Sequence, residues 1–217
     1  MYVGLAMNKH VPTITSDTLI IKADRMMEEH RLWILLVVED GMLKGYVAKE
    51  DIRAALPSGA TTFSKHELNY LLSKMTIRDL VRHEMPTVTP ETEIEVAAKI
   101  MNDRDLAGLA VVDRQNRLKG YISRSSMLAV LVEEMGLDLG GHRLAIEAED
   151  RKGLMAEIST LFFDMGVNIL STSTFFRDNQ RLLVFRVRAD DIDAVRKTLA
   201  EKGYSIVGAE HFEQEWA

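Results

Sequence analysis

An internal repeat limits the fold of this chain more than any other feature. The tetrapeptide Leu-Lys-Gly-Tyr occurs twice, at Leu43–Tyr46 and at Leu118–Tyr121. Further upstream, Pro12–Thr15 matches Pro86–Thr89 at a shift of 74 residues, and the match continues through the apolar segments that follow. A repeat of this extent predicts a duplicated supersecondary unit, in which each copy buries an apolar face against the other.

Both copies have the same predicted order of elements. A short extended segment precedes an amphipathic helix, for which Thr92 and Glu95 have capping-box spacing in the second copy. A Val-rich run, a turn, a strand that begins at the repeated tetrapeptide and a short helix complete a β-α-β-β-α unit. Between the copies, Ser64 and Glu67 form another candidate capping box, which predicts a helical connector over residues 57–76. The apolar helix face in the second copy is predicted at Ile94, Ala97, Ala98 and Met101.

A duplicated unit of this order resembles a tandem cystathionine β-synthase (CBS) domain pair. In that family the unit ends in Gly, two residues, a small hydroxyl residue, two residues and Asp. The resemblance implies a sensor of adenosine nucleotides that is not itself an enzyme. It implies AMP, ADP, ATP, NAD or S-adenosylmethionine as the regulatory ligand, and no required cofactor. The terminal Asp would accept the ribose hydroxyls, and the hydroxyl residue would help to hold the phosphate near a helix N-terminus.

This chain divides that motif between its two copies. In the first copy Asp51 is present, but Ala48 replaces the hydroxyl residue. In the second copy Ser123 supplies the hydroxyl, but Ser126 replaces the Asp. The nucleotide-binding residues that the resemblance implies, with the two basic residues supplying charge for phosphate, are Thr13, Lys49, Asp51, Thr87, Ser123, Arg124 and Ser126. The alternative is a degenerate pair that serves as a dimerisation frame, in which Asp51 only caps its short helix.

The pattern changes after the second copy. Three glycines within Gly136–Gly141 predict a junction. Arg143–Glu149 alternates apolar and polar residues as a strand does, Asp150 is a candidate cap for the next helix, and Gly166 is predicted to end that helix. Two strands, a second helix and a last strand over Ser205–Phe212 follow. The order β-α-β-β-α-β predicts a four-stranded antiparallel sheet with two helices on one face.

The segment Asp150–Leu170 (DRKGLMAEISTLFFDMGVNIL) resembles the first loop, helix and second strand of an ACT domain, a small regulatory module that typically binds amino acids. The resemblance implies a ligand between the glycine loop of one subunit and the second strand of its neighbour. The residues implied are Asp150, Lys152, Gly153, Leu154, Val167, Asn168 and Ile169. A glycine loop that runs into a helix exposes backbone N–H groups to a carboxylate. The alternative is structural: Gly153 allows close packing, and Asn168 leads the chain into its strand.

The predicted fold class is α+β, a tandem CBS pair followed by a ferredoxin-like ACT domain. The predicted limits are 1–56 for the first repeat, 57–76 for the connector, 77–133 for the second repeat and 142–217 for the ACT domain. This arrangement resembles the bacterial acetoin-utilisation protein family. The resemblance implies an accessory or regulatory role in acetoin catabolism.

Composition and charge exclude several classes of function. The 217 residues include no Cys, which removes disulfides and Cys-ligated metals and fits a reducing compartment, so we expect a cytoplasmic protein. The N-terminal residues lack the basic start and apolar stretch of a signal peptide. The longest apolar run, Leu32–Val38, is far shorter than the ~20 residues of a membrane helix. A net charge of −6 without a basic stripe argues against a nucleic-acid partner.

No catalytic or metal-binding pattern is present in the sequence. The six His residues lack paired helical spacing, and no GxxxxGK[ST], GxGxxG or GxSxG motif occurs. We therefore expect no enzyme. We expect a homodimeric regulatory protein in which a small-molecule effector shifts the modules and so alters a partner, such as an enzyme of acetoin or amino-acid metabolism. The alternative is a constitutive dimeric interaction scaffold with degenerate ligand sites.

Overall fold

The computed structural model describes residues 1–56, 65–177 and 180–208. Two units are distinguished along the chain, residues 1–128 and residues 129–217. The helices are α1 (Val3–Ala6), α2 (Ile20–Glu29), α3 (Lys49–Ala55), α4 (Lys65–Leu72), α5 (Ile94–Asp103), α6 (Arg124–Glu134), α7 (Leu154–Asp164) and α8 (Ile192–Glu201). The strands are β1 (Thr13–Ile14), β2 (Ile34–Glu39), β3 (Met42–Ala48), β4 (Thr87–Val88), β5 (Gly108–Val112), β6 (Leu118–Ser123), β7 (His142–Glu149), β8 (Asn168–Arg177), β9 (Gln180–Arg188) and β10 (Ser205–Ile206).

The duplicated part of the sequence forms two matching sheets, with strand orders β1-β2-β3 and β4-β5-β6. In each sheet the first strand runs parallel to the second, and the third runs antiparallel to it. Thr13 pairs with Leu36 in the first sheet, and Thr87 pairs with Ala110 in the second. The antiparallel pair carries a bulge at the same place in both sheets. The predicted β-α-β-β-α order is therefore confirmed in both copies.

Equivalent helix positions are buried in the two copies. In α2 these residues are Ile20, Ala23 and Met27, and in α5 they are Ile94, Ala97 and Met101. A spacing of three and four residues places such side chains on one helical face, which packs on the sheet. Of the predicted α5 face, only Ala98 is half-buried rather than buried.

The two sheets share an apolar cluster. It is formed by Leu36 and Leu43 from the first copy and Ala110 and Val112 from the second, all at most 7% exposed. Burial of apolar area is the main favourable term in folding, so this cluster holds the two copies together. The predicted burial of one copy against the other is present in the structure.

Each copy is also completed by a segment from elsewhere in the chain. Near the N-terminus, Asn8 exchanges two backbone hydrogen bonds of 2.9 Å with Tyr121 of the second sheet. After the connector, Arg82 exchanges backbone hydrogen bonds of 2.8 and 3.0 Å with Tyr46 of the first sheet. These two bridges are equivalent, and they bring Asn8 and Arg82 to matching places beside the two repeated tetrapeptides.

One predicted helix start in this unit is wrong. Glu93, not Thr92, is the N-cap of α5, and no side chain caps the helix. The hydroxyl of Thr92 instead accepts the backbone N–H of Thr89 at 3.0 Å and stabilises the turn before the helix. The connector contains α4, while the candidate cap Ser64 lies outside the described residues.

The second unit has the predicted antiparallel sheet, in the order β10-β7-β9-β8. Helices α7 and α8 pack on one face of it, and Phe162 of α7 meets Phe185 of β9 edge-on, with ring centroids 5.1 Å apart. Gly166 follows α7 with a φ of 70°, as its predicted role requires. The last strand is assigned over Ser205–Ile206, and residues 209–212 of its predicted length lie outside the described part of the chain.

The glycine-rich junction is held against this sheet. The Met135 carbonyl accepts hydrogen bonds from Ser171 Oγ at 2.9 Å and from Arg186 Nε at 3.2 Å. A side chain at Gly141 would place Cβ 2.4 Å from the Val187 carbonyl oxygen. Glycine is therefore required at this position because the backbone passes so close to β9.

Candidate functional site

The first unit contains two cavities where its two copies meet. The cavity that we call the first cleft has a volume of about 500 Å³, and its lining includes Ala48, Lys49, Glu50, Arg53, Arg82 and Arg104. The cavity that we call the second cleft has a volume of about 540 Å³, and its lining includes Asn8, Arg31, Tyr121, Ser123, Arg124 and Ser126. Trp33 and Ala107 border both clefts. In each cleft the motif residues follow the last strand of one copy, so the two clefts occupy equivalent positions in the repeat.

In the first cleft Arg82 is hydrogen-bonded to two carboxylates that follow β3. Its Nη2 donates to Asp51 Oδ1 at 2.7 Å and to Glu50 Oε1 at 2.8 Å. The hydrogen bond with Asp51 is the main reason why the pKa of Arg82 is raised above its ordinary value. The Arg82 side chain remains 44% exposed, so solvent screens these two ion pairs.

Asp51 does not cap helix α3. The N-cap is Ala48, and no side chain caps the helix, so the alternative interpretation of Asp51 as a cap is wrong. The Asp51 side chain is 25% exposed, but its Oδ2 atom is buried and has no hydrogen-bond partner in the structure. A buried acceptor without a donor costs about 1–3 kcal/mol, more if charged, so Arg82 satisfies the Asp51 carboxylate only in part.

Lys49 is held by two neighbours. Its Nζ lies 2.9 Å from Glu28 Oε1 and 5.7 Å from the centroid of the Trp33 ring, and its side chain is only 13% exposed. Arg53 Nη2 also donates to Glu28, at 2.9 Å. The hydrogen bond from Lys49, followed by that from Arg53, lowers the pKa of Glu28. Lys49 and Trp33 thus place a positive charge and an aromatic ring on the same wall of the first cleft.

In the second cleft the motif residues bond to their own copy. Ser123 Oγ accepts the N–H of Ser126 at 3.1 Å, the geometry of a helix N-cap, and lies 3.0 Å from Ser126 Oγ. Arg124 donates to the Leu106 carbonyl at 2.8 Å and pairs with the exposed Asp105. The structure therefore brings the predicted residues Ser123, Arg124 and Ser126 together at the start of α6.

Three predicted residues are absent from the lining of both clefts in the described part of the chain. Thr13 and Thr87 are exposed in β1 and β4, and Asp51 contacts the first cleft's lining through its hydrogen bond with Arg82. The sequence reasoning missed Trp33 and Arg82. Trp33 is 71% exposed although it lies within an apolar run, and its only signal in the sequence is a large aromatic just before a predicted strand. Arg82 carried no local signal, because only the tertiary fold brings it to Asp51.

The predicted ACT ligand residues divide into loop and core. Gly153 has a φ of 85°, and a Cβ there would meet no atom within 4 Å, so the loop is open on that side. The prediction that Asp150 caps α7 is wrong, because Gly153 is the N-cap of that helix. Asp150 instead pairs with Arg181 at 2.8 Å. Leu154 and Val167 are buried in the core, Ile169 packs against it, and Asn168 is exposed at the start of β8. Lys152 is exposed.

A second charged group lies beside this loop. Glu157 accepts hydrogen bonds of 2.5 Å from both Tyr204 and Arg151, and these contacts, Tyr204 first, lower its pKa. Burial is the main cause that raises the pKa of Tyr204 to about 12. Arg151 is therefore turned back onto α7.

Neither metal binding nor membrane insertion has support in the described ranges. Over residues 1–56, 65–177 and 180–208, no group of three or more His, Cys, Asp or Glu is arranged to hold a metal ion. In the same ranges, every helix is too short or too polar to cross a bilayer.

Comparison with known families matches most of the chain. The CBS domain model matches residues 3–58 and 77–133, just over half of the sequence, and the ACT domain model matches residues 142–200. A CBS domain-containing protein of Dictyostelium discoideum is 28% identical over 128 residues, which cover 58% of this chain and 88% of that protein. Of several larger curated relatives, the match spans only 24% to 49%.

Solved structures share the fold of roughly three fifths of the chain. A Vibrio cholerae protein named for acetoin utilization, AcuB, has a TM-score of 0.54 and 20% identity, covering 65% of this chain and 98% of that one. CBSX2, solved in complex with AMP, has a TM-score of 0.50 and 24% identity, covering 61% of this chain and 96% of that one. At these identities the likeness shows the fold.

Proposed function

Because this chain belongs to the CBS domain family and carries a C-terminal ACT domain, we propose that it senses an adenosine nucleotide at its CBS pair. The observation that carries the proposal is the carboxylate of Asp51. It stands at the position that resembles the family's ribose-binding Asp, and its Oδ1 is hydrogen-bonded to Arg82, a residue of the first cleft's lining. Ribose hydroxyls would donate hydrogen bonds to this carboxylate. The complex of CBSX2 with AMP supports the choice of an adenosine nucleotide.

The charges around the first cleft support an anionic ligand. Lys49, Arg53 and Arg82 each pair with carboxylates. Arg104 also borders the cleft, and among the described residues it makes no ion pair. A phosphate group in the cleft would supply a partner for such a guanidinium, in charge-assisted hydrogen bonds.

The proposed action is regulatory rather than catalytic. CBS and ACT domains are regulatory modules. We propose a homodimer in which the nucleotide, and an amino acid or similar metabolite at the ACT glycine loop, bind one arrangement of the modules better than another and so alter a partner enzyme. The cytoplasmic location expected from the sequence stays a prediction.

A thermal-shift screen tests the proposal. The intact chain is heated with AMP, ADP, ATP, NAD, S-adenosylmethionine and each common amino acid. A ligand at 100 times its Kd adds ~2.7 kcal/mol to the stability of the folded state, so a rise of several degrees in Tm is expected. Absence of any shift at millimolar concentrations would contradict sensing at both modules.

A constitutive dimeric scaffold is the second candidate. One observation favours it: the polar residues of both motifs already have protein partners, with Asp51 bonded to Arg82 and Ser123 bonded to Ser126. A scaffold predicts that the affinity for its partner protein is the same with and without each small molecule. A ligand-dependent change in that affinity would reject it.

We also propose acetoin catabolism as the regulated process, on the resemblance to the acetoin-utilisation family and to the AcuB fold. The test is growth of the source organism on acetoin as the sole carbon source, with and without the gene. Slower growth of the deletion strain, restored by the intact gene, is expected. Equal growth on acetoin would contradict this role and leave the nucleotide proposal unaffected.

A further inference from the structure

Arg82 connects Asp51 to the lining of the first cleft. Arg82 and Glu50 belong to that lining and Asp51 does not, but the Arg82 guanidinium is hydrogen-bonded to Asp51 Oδ1. Asp51 Oδ2 is buried and Oδ1 is bonded to Arg82, so a ligand hydroxyl from the cleft can bond to Oδ1 only if the guanidinium gives up that hydrogen bond. An uncharged ligand would not replace the charge that the guanidinium loses as its partner.

The backbone of Arg82 is fixed, but its side chain is not enclosed. The residue is paired with Tyr46 through both of its backbone groups, and Gly45 passes so close that a Cβ there would lie 2.4 Å from the Arg82 carbonyl oxygen. The guanidinium carbon lies 5.9 Å from the centroid of the Tyr46 ring, and the side chain is 44% exposed. The guanidinium can therefore change partners at the cleft wall without movement of the strand beneath it.

The second cleft provides an internal comparison. Asn8 makes the same backbone bridge to Tyr121 that Arg82 makes to Tyr46, and Ser126 takes the place of Asp51. The charged pair of the first cleft is thus replaced by two neutral residues in the second. Arg82 and Asp51 thus occur together in the first cleft, and both are absent from the second, as expected if they act as a pair.

We propose that Arg82 makes a phosphate group a requirement for ligands of the first cleft. The phosphate takes over the guanidinium in charge-assisted hydrogen bonds, and this exchange releases Asp51 to accept the ribose hydroxyls. The ligand class is therefore a phosphorylated adenosine nucleotide. Adenosine is rejected, because it offers no anion to Arg82. This inference rests on the proposed nucleotide site.

Isothermal titration of the intact chain with ADP and with adenosine tests the inference. For the unaltered protein, ADP is expected to bind at least about tenfold more tightly than adenosine, since a hydrogen bond to a charged group contributes about 1.5–3 kcal/mol. In Arg82→Gln the ratio of the two Kd values should fall by about tenfold, through weaker binding of ADP and tighter binding of adenosine. Addition of Asp51→Asn should abolish the gain for adenosine, which assigns it to the first cleft.

Arg78→Gln is the matched control. Arg78 pairs with Asp17 and belongs to the lining of neither cleft, so its loss should leave both Kd values unchanged. If Arg82→Gln does not fold, Arg82→Lys, which keeps the charge but not the planar fork, should show a smaller change in the same direction. An unchanged ratio in the folded variant overturns the inference. Failure of ADP and adenosine to bind any of these proteins overturns the nucleotide proposal as well.

Discussion

The two clefts of the CBS pair have the same backbone and different polar residues. Both follow a bulged hairpin, and both are bordered by Trp33 and Ala107. In the first cleft Asp51 is bonded to a residue from a distant segment, whereas in the second Ser123 caps the helix of its own copy. The duplication therefore gives both copies the same packing, while the residues that follow each strand give the two clefts different charges and hydrogen bonds.

The largest expected effect tests whether the packing is in fact common to both copies. Leu36 and Ala110 are equivalent, and both are buried in the cluster between the sheets. Leu36→Ala should lower the free energy of unfolding by about 2–5 kcal/mol through lost burial and a cavity. Ala110→Leu should lower it by about 1–3 kcal/mol through overpacking. Urea denaturation measures both, and a neutral result for either would show that the two sheets do not share one close-packed core.

The next prediction exchanges the acidic residue between clefts. Asp51→Ala should weaken nucleotide binding at the first cleft by about ten- to a hundredfold, because hydrogen bonds to a charged group are lost. Ser126→Asp, which completes the second motif beside Ser123, should strengthen binding at the second cleft by about tenfold. Titration calorimetry provides both values. If the Asp51 change leaves binding intact, the role implied by the family resemblance does not apply to this residue.

A smaller effect concerns the hydroxyl position. Ala48 is the N-cap of α3 and provides no side-chain hydrogen bond, whereas Ser123 Oγ accepts the N–H of Ser126. Ala48→Ser should therefore raise the free energy of unfolding by about 1 kcal/mol, and Ser123→Ala should lower it by a similar amount. Thermal unfolding of the two variants checks this opposition. Changes of the same sign would mean that the two helix starts are not equivalent.

The smallest effect is a difference in pH dependence between the copies. Glu28 bonds to Lys49 and Arg53 and has a lowered pKa, while the equivalent residue of the second copy is the uncharged Asn102. A carboxyl whose folded pKa is lowered stabilises the protein above its unfolded pKa, roughly 4.3, and this contribution is lost as the pH falls through the folded value. Glu28→Gln should remove this loss of stability at acid pH. Urea midpoints between pH 6 and pH 3 should therefore fall less steeply for the variant, and parallel curves would contradict the assignment.

Most of the fold could be predicted from local pattern. The repeat, the period of the buried helix faces and the order β-α-β-β-α-β led to the observed sheets. Helix starts were less predictable, because the hydroxyl of Thr92 and the carboxylate of Asp150 have other partners, a turn and Arg181. A capping motif states which hydrogen bonds are possible, and the tertiary structure decides which are made.

The candidate site was only partly predictable for the same reason. Asp51 and Ser123 belong to a local motif, so the sequence alone could identify them. Arg82 reaches Asp51 from the far side of the connector, through a bridge to Tyr46 that no spacing rule describes. Residues that act in one site but come from separate segments need the fold before they can be grouped.

The most direct test of the central claim is titration of ADP into the intact chain and into Asp51→Ala, with Ser123→Ala as a companion. We expect ADP to bind the unaltered protein measurably and to bind Asp51→Ala with an affinity at least about tenfold lower. It also predicts that adding the Ser123 change to Asp51→Ala affects only what binding remains at the second cleft. Equal ADP binding by all of these proteins, or no binding by the unaltered chain at millimolar ADP, would contradict nucleotide sensing through Asp51.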